Sequence, residues 1–128
     1  VSARIDPIIP GINDAEIDSL ISAASAAGAS HITSSTFKAR PGGLKELQNA
    51  FPEQGAALRQ LFAAGEMLGG SLYLPAVIRR DLMQRIKASA EQHRLTFSSC
   101  REGSAPAPGI NCDGSHLLLS MARTKPEE

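Results

Sequence analysis

Aromatic residues and cysteines are scarce in this sequence: four Phe, one Tyr, no Trp and two Cys among 128 residues. Two cysteines are too few for the disulfide framework of a small secreted domain, and both stand beside polar residues, where a reactive or metal-binding thiol is more plausible than a staple. There is no basic patch with interleaved aromatics of the kind that marks a nucleic-acid surface. Charge of one sign is lacking as well. The 13 basic residues cancel the 13 acidic ones, so no net field draws the chain to nucleic acid or to an anionic membrane, and any such contact must be local. No apolar run approaches the ~18 residues that a bilayer span requires, and no basic, apolar, small-residue leader is found. These features predict a cytoplasmic chain with no membrane partner.

Several catalytic signatures are also lacking. The sequence has no glycine-rich phosphate loop ending in Lys and Ser or Thr, no H-E-x-x-H and no G-x-S-x-G elbow, which leaves hydrolase and nucleotidase readings without support. Ser99, Asp113 and His116 are triad residue types, but a triad is defined by geometry and not by the presence of its members. His31 and His93, each on an expected regular element, read as ordinary surface or core histidines.

With 42% hydrophobic and 20% charged residues, the chain has enough apolar material for one folded unit with a core. Its organising stretch is RIDPIIPGINDAEI, Arg4 to Ile17. Ile5, Ile8 and Ile9 lie on a segment that Pro7 and Pro10 hold extended, which reads as a buried strand. Gly11 permits a sharp turn, and Asn13 with Glu16 three residues on reads as a capping box opening a helix. Strand, tight turn and helix N-terminus is the junction at which α/β folds place small-molecule ligands.

Further along, Ile17, Leu20, Ile21 and Ala24 predict a helix that Gly28 ends. Ser30 to Lys38, rich in β-branched and hydroxyl residues, predicts a second strand, completing a parallel crossover unit. This strand is polar for a parallel one, which leaves two readings. Either Thr33, Ser35 and Lys38 face an interior that holds a ligand, or the strand is an edge wetted on one side. RPGG at 40–43 is a turn, and Lys38 and Arg40 beside it are solvated loop charges or the receptors of a phosphate or carboxylate. Leu44, Leu47 and Phe51 predict a short helix broken by Pro52, and Leu58, Leu61 and Phe62 a further one from about 53 to 65. The longest helix runs from Pro75 to His93 on the stripe Ile78, Leu82 and Ile86, widened by Met83 and Ala90, with Arg79, Arg80, Arg85 and Lys87 on a solvated surface. Leu95 to Ser99 predicts a strand that delivers Cys100. The stretch from Gly103 to Gly109 is a connection, and the end of the chain is a polar tail.

Three segments together resemble a known family. In PIIPGIND, residues Ile9, Gly11 and Asp14 match the I, G and acidic positions of the GxIxGxxE pattern of radical S-adenosylmethionine enzymes, with Pro7 in place of its first glycine. FSSCREG at 97–103 and GINCDGSHLL at 109–118 resemble the C-terminal end of the group that includes spore photoproduct lyase and the DNA repair photolyase-like proteins. The resemblance covers nearly the whole chain. It implies the C-terminal part of a partial (β/α) TIM-type barrel: residues 1–40 as its last βαβ unit, and residues 41–128 as a helical extension with a final strand and a cysteine-containing loop. It further implies an adenosyl pocket lined by Ile9, Gly11 and Asp14, with Thr33 and Ser35 turned toward the ligand. The cofactors so implied are S-adenosylmethionine and a 4Fe-4S cluster held by a CxxxCxxC loop. Two cysteines twelve positions apart cannot hold that cluster, so its ligands are expected in a preceding half-barrel, the chain being a piece of a longer protein and inactive alone. DNA is the substrate the family name carries. Cys100 and Cys112, with Asp113 and His116 nearby, are candidate ligands of a metal or auxiliary cluster. A different class of reading is a small non-enzymatic metal- or redox-binding α/β module built on the same two thiols.

Overall fold

The structure, a computed structural model, describes residues 1–100 and Glu102. Three parallel strands, β1 (Ser2–Ile8), β2 (His31–Thr36) and β5 (Thr96–Ser99), form a sheet in the order β1-β2-β5. Between β1 and β2 lie a 3-10 turn at Asp14–Glu16 and helix α1 (Ile17–Ala26). The long crossover from β2 to β5 carries α2 (Gly43–Ala50), α3 (Pro52–Ala63), an antiparallel hairpin of β3 (Glu66–Leu68) and β4 (Ser71–Tyr73), and α4 (Ala76–Gln92). The expected α/β class, with its parallel crossovers, is thus observed. Among the described residues no helix is long and apolar enough to cross a membrane.

The register explains why one sheet face is apolar and the other polar. Ala3, Ile32 and Phe97 are in line across the three strands, and with Ile5 they pack on the main core. The core also takes Ile17 and Ile21 from α1, Leu58 and Phe62 from α3, and Leu82, Met83, Ile86 and Ala90 from α4. Because side chains alternate along a strand, the residues between them must face the other way. Those are Arg4, Thr33 and Ser98, likewise in line. Phe37, just past β2, meets Phe62 edge to face with centroids 6.0 Å apart, a pairing worth about 0.5–1.5 kcal/mol beyond its buried area.

Local sequence accounts for the element ends. After α1, Gly28 takes φ +99° and the amides of Gly28 and Ala29 reach back to Ser25 and Ala24, closing a left-handed helix end. Pro52 opens α3, where its missing N–H costs nothing.

Four expectations are corrected. β1 is not a buried strand: among the described residues it is the outer strand of the sheet, and only Ile8 of its seven residues is buried. There is no capping box, because Asn13 turns its side chain back to the Ile9 amide and the Pro7 carbonyl. Leu20 lies outside the α1 stripe and is exposed. Arg79 is not on a solvated face but 6% exposed, inside a charge cluster described below. The β3–β4 hairpin was not foreseen. Its signal was Gly69-Gly70 between two short apolar-containing runs, since both glycines take positive φ, +56° and +82°, as a two-residue hairpin turn requires.

Candidate functional site

The turn after β1 is held by side chains acting on its own backbone. Asn13 Oδ1 accepts from the Ile9 amide at 2.7 Å, Asn13 Nδ2 donates to Pro7 O at 2.8 Å, and Asp14 Oδ1 accepts from the Gly11 amide at 2.9 Å. Gly11 sits at φ +80°, and nothing lies within 4 Å of where a Cβ would stand, so its backbone faces open space. Arg85 of α4 donates to the Asp14 carbonyl at 3.1 Å and pairs with its carboxylate at 3.8 Å, tying the turn to the longest helix. Ile9 itself belongs to the core.

On the polar face, β2 is central and all six of its residues are buried, which overturns the wetted-edge reading of this strand. Ser35 Oγ donates to Asp6 Oδ1 at 2.5 Å, and Asp6 in turn receives Arg4 Nε at 3.0 Å. Arg4 also meets Cys100. That hydrogen bond raises the Arg4 pKa, burial opposes it, and the Asp6 carboxylate raises it again, so the guanidinium remains charged. At the other end of the face, His31 is fully buried with Nδ1 2.7 Å from Thr96 Oγ1 and Nε2 3.1 Å from Ser98 Oγ. Thr33 and Ser35 therefore lie on one face with Arg4, Asp6, His31, Ser98 and Cys100, away from the helices.

A second constellation gathers at the carboxyl end of β2. The Glu102 carboxylate accepts from the Thr36 amide at 2.6 Å, from Thr36 Oγ1 at 2.8 Å and from the Lys38 ammonium, all at Oε1. Arg79 Nη1 lies 3.6 Å from Oε2, and Arg79 Nη2 pairs with Glu66 at 3.1 Å. Lys38 and Arg79 stand over the ring of Tyr73, 5.3 and 5.1 Å from its centroid. A cleft of about 360 Å³ beside the cluster is lined by Phe37, Lys38, Arg40, Gly43, Glu46 and Leu47. Lys38 thus pairs with Glu102 and is not a solvated loop charge, while Arg40 is exposed and in no ion pair among the described residues. Sequence reasoning missed Glu102 and Arg79 as partners because 23 positions, covering most of α4 and the whole of β5, separate them, and no local pattern encodes that meeting.

Of the residues expected to bind a cofactor, Ile9, Gly11 and Asp14 share the turn after β1, and Thr33 and Ser35 share the polar face. Cys100 continues the β5 ladder, its amide donating to Ser34 O at 3.0 Å. Cys112, Asp113 and His116 lie outside the described residues. Among the described residues no group of three His, Cys, Asp or Glu side chains is placed to hold a metal ion. Comparisons with family models, with curated proteins and with solved structures give no match for this chain.

Proposed function

We propose that this chain is the C-terminal portion of a radical S-adenosylmethionine enzyme of the spore photoproduct lyase and DNA repair photolyase-like group, and that its sheet is part of a TIM-type barrel. The observation that carries this reading is the two-faced parallel sheet, with helices packed on the Ile32 face and the Arg4–Thr33–Ser98 row opposite. A parallel sheet covered on both faces by helices has no use for such a row, whereas a barrel interior that receives a polar ligand does. The position of PIIPGIND supports the same reading, since its turn follows the carboxyl end of β1, where barrel enzymes bind ligands.

The fit of the implied groups differs between them. Gly11 presents its backbone to open space, which suits close approach of a nucleoside, while Thr33 and Ser35 lie buried on the polar face, Ser35 Oγ donating to Asp6. Ile9, being in the core, would shape the pocket from behind. The described residues offer no ligand set for an iron–sulfur cluster, so in this proposal its cysteines come from another part of the barrel. When both groups are bound, they supply reductive cleavage of S-adenosylmethionine to a 5′-deoxyadenosyl radical. The chain's own residues bind and orient: Asp14 fixes the Gly11 amide, and Arg4 and Asp6 hold Cys100 and Ser35 in place across three strands. The DNA substrate rests on resemblance alone.

The test is anaerobic reconstitution of the full-length protein with iron, sulfide and a reductant, followed by assay for 5′-deoxyadenosine. The expected result is product that depends on S-adenosylmethionine and falls on Gly11→Val. An intact cluster with no 5′-deoxyadenosine overturns the reading.

A further inference from the structure

The Glu102 carboxylate occupies a site whose donors are all anchored independently of it. Lys38 Nζ is fixed by a 2.9 Å bond to the Thr36 carbonyl, and Arg79 Nε by a 2.9 Å bond to Leu74 O. Both cations also lie over the Tyr73 ring, at 5.3 and 5.1 Å from its centroid, where the π system attracts each. The Thr36 amide belongs to the last residue of the central strand, and Glu102 Oε1 supplies it with an acceptor at the point where β5 has ended. The side chains of Lys38, Arg79 and Glu102 are 9%, 7% and 2% exposed, so two cations share one buried anion. The second anion, Glu66, is 54% exposed and compensates Arg79 only weakly.

The carboxylate fits this site poorly. Oε1 takes three hydrogen bonds while Oε2, fully buried, takes none. Arg79 Nη1, 3.6 Å from Oε2, donates instead to the Glu102 carbonyl at 3.3 Å. The planar carboxylate turns Oε1 to the donors at the end of β2 and on Lys38, and its geometry leaves Oε2 outside hydrogen-bond reach of Arg79 on α4. A tetrahedral oxyanion presents oxygens to all three. Lys38 also lines the 360 Å³ cleft, with the exposed Arg40 beside it, which gives an anion a route to the site.

We propose that Thr36, Lys38 and Arg79 form a binding site for a phosphoryl group, and that Glu102 is an internal carboxylate ligand that such a group displaces. Binding therefore competes with the contact that fastens the end of β5 to β2. This inference does not depend on the radical S-adenosylmethionine reading, because it uses none of the residues of the Gly11 turn or the polar face.

Inorganic phosphate titrated into the full-length protein tests it, at ionic strength held constant with chloride and with the Thr36 amide followed by nitrogen-15 NMR. In the wild type the amide should move saturably with phosphate, and acetate at equal concentration should move it less. Glu102→Gln removes the competing charge and should tighten phosphate binding by about tenfold or more. Lys38→Met should abolish the response in both backgrounds. Equal affinities in wild type and Glu102→Gln, or a response that survives Lys38→Met, overturn the proposal. If Glu102→Gln does not fold, the wild-type titration decides, and a Thr36 amide unmoved by phosphate overturns it.

Discussion

Gly11 donates its amide to Asp14 Oδ1 at 2.9 Å, and this bond closes the turn that carries the chain from β1 into α1. Gly11 can make it because φ +80° is open to glycine. An L-residue there is strained by about 1–2 kcal/mol, more for a β-branched side chain. Gly11→Ala should lower unfolding free energy by about 1 kcal/mol in a urea titration, and Gly11→Val by more. If the turn also receives the adenosyl group, S-adenosylmethionine affinity in the full-length protein should fall by a larger factor than stability accounts for. Equal losses would make Gly11 a turn residue alone.

Asp14 supplies the matching test from the other partner. Asp14→Ala leaves the Gly11 amide without its acceptor and removes the Arg85 ion pair, which is half-exposed and worth little. The expected loss is about 1 kcal/mol, with Asp14→Asn recovering most of it because an amide oxygen also accepts. If Asn is as destabilising as Ala, the charge on Arg85 matters more than the cap.

The contrast between these two regions shows what was legible in the sequence. The turn at Gly11 was readable because proline, glycine and a short acidic side chain act on backbone within a few positions. The same holds for α1, α3 and α4, whose stripes repeat at helical spacing. The face of β2 was only half readable: Thr33 and Ser35 are polar at alternating positions whether the strand is an edge or the centre, and the pairing with both β1 and β5 that decides this is non-local. Arg79 was misread for a related reason. On α4 it sits next to Ile78 and Arg80, so its pattern is that of a surface charge, and only the hairpin and Glu102 bring it partners. Asn13 and Glu16 show the reverse, a good local pattern for a capping box that lost to a better use of Asn13 across the turn.

The buried histidine gives a third prediction. His31 places one ring nitrogen on Thr96 Oγ1 and the other on Ser98 Oγ, bridging β2 to β5 on the polar face. His31→Leu keeps the volume roughly and removes both bonds, so stability should fall by about 1–3 kcal/mol. His31→Gln, which can reach one hydroxyl, should lose less. A Leu variant as stable as the wild type would mean that burial and not hydrogen bonding fixes the strand pair.

The charge cluster predicts strong non-additivity. Lys38→Met leaves the buried Glu102 carboxylate with Thr36 and a longer contact to Arg79, at an expected cost of about 3 kcal/mol. Glu102→Gln leaves Lys38 without its buried counter-ion. The double variant removes both charges together and should be more stable than the sum of the single losses implies, with a coupling energy of about 1–3 kcal/mol by urea denaturation. Additive losses would mean that the two side chains do not depend on each other.

Two glycines in and after α3 should respond oppositely to the same substitution. At Gly55, within the helix, an added Cβ would meet Gln48 at 3.5 Å, an ordinary contact. Gly55→Ala should therefore gain helix propensity and stabilise by about 0.5–1 kcal/mol. At Gly65 the added Cβ would lie 1.8 Å from the Tyr73 carbonyl oxygen and 2.9 Å from its carbon. That neighbour is backbone of β4, whose residue Leu72 is bonded in both directions to Ala39 at 2.7 and 2.9 Å, so it has little room to yield. Gly65 is not at positive φ; its requirement is close approach of two chain segments. Gly65→Ala should cost about 1–3 kcal/mol or more by overpacking. It should also shift the Tyr73 ring relative to Lys38 and Arg79, visible as a changed tyrosine fluorescence. An alanine at 65 that is neutral in both readouts would place the hairpin farther from α3 than this structure has it.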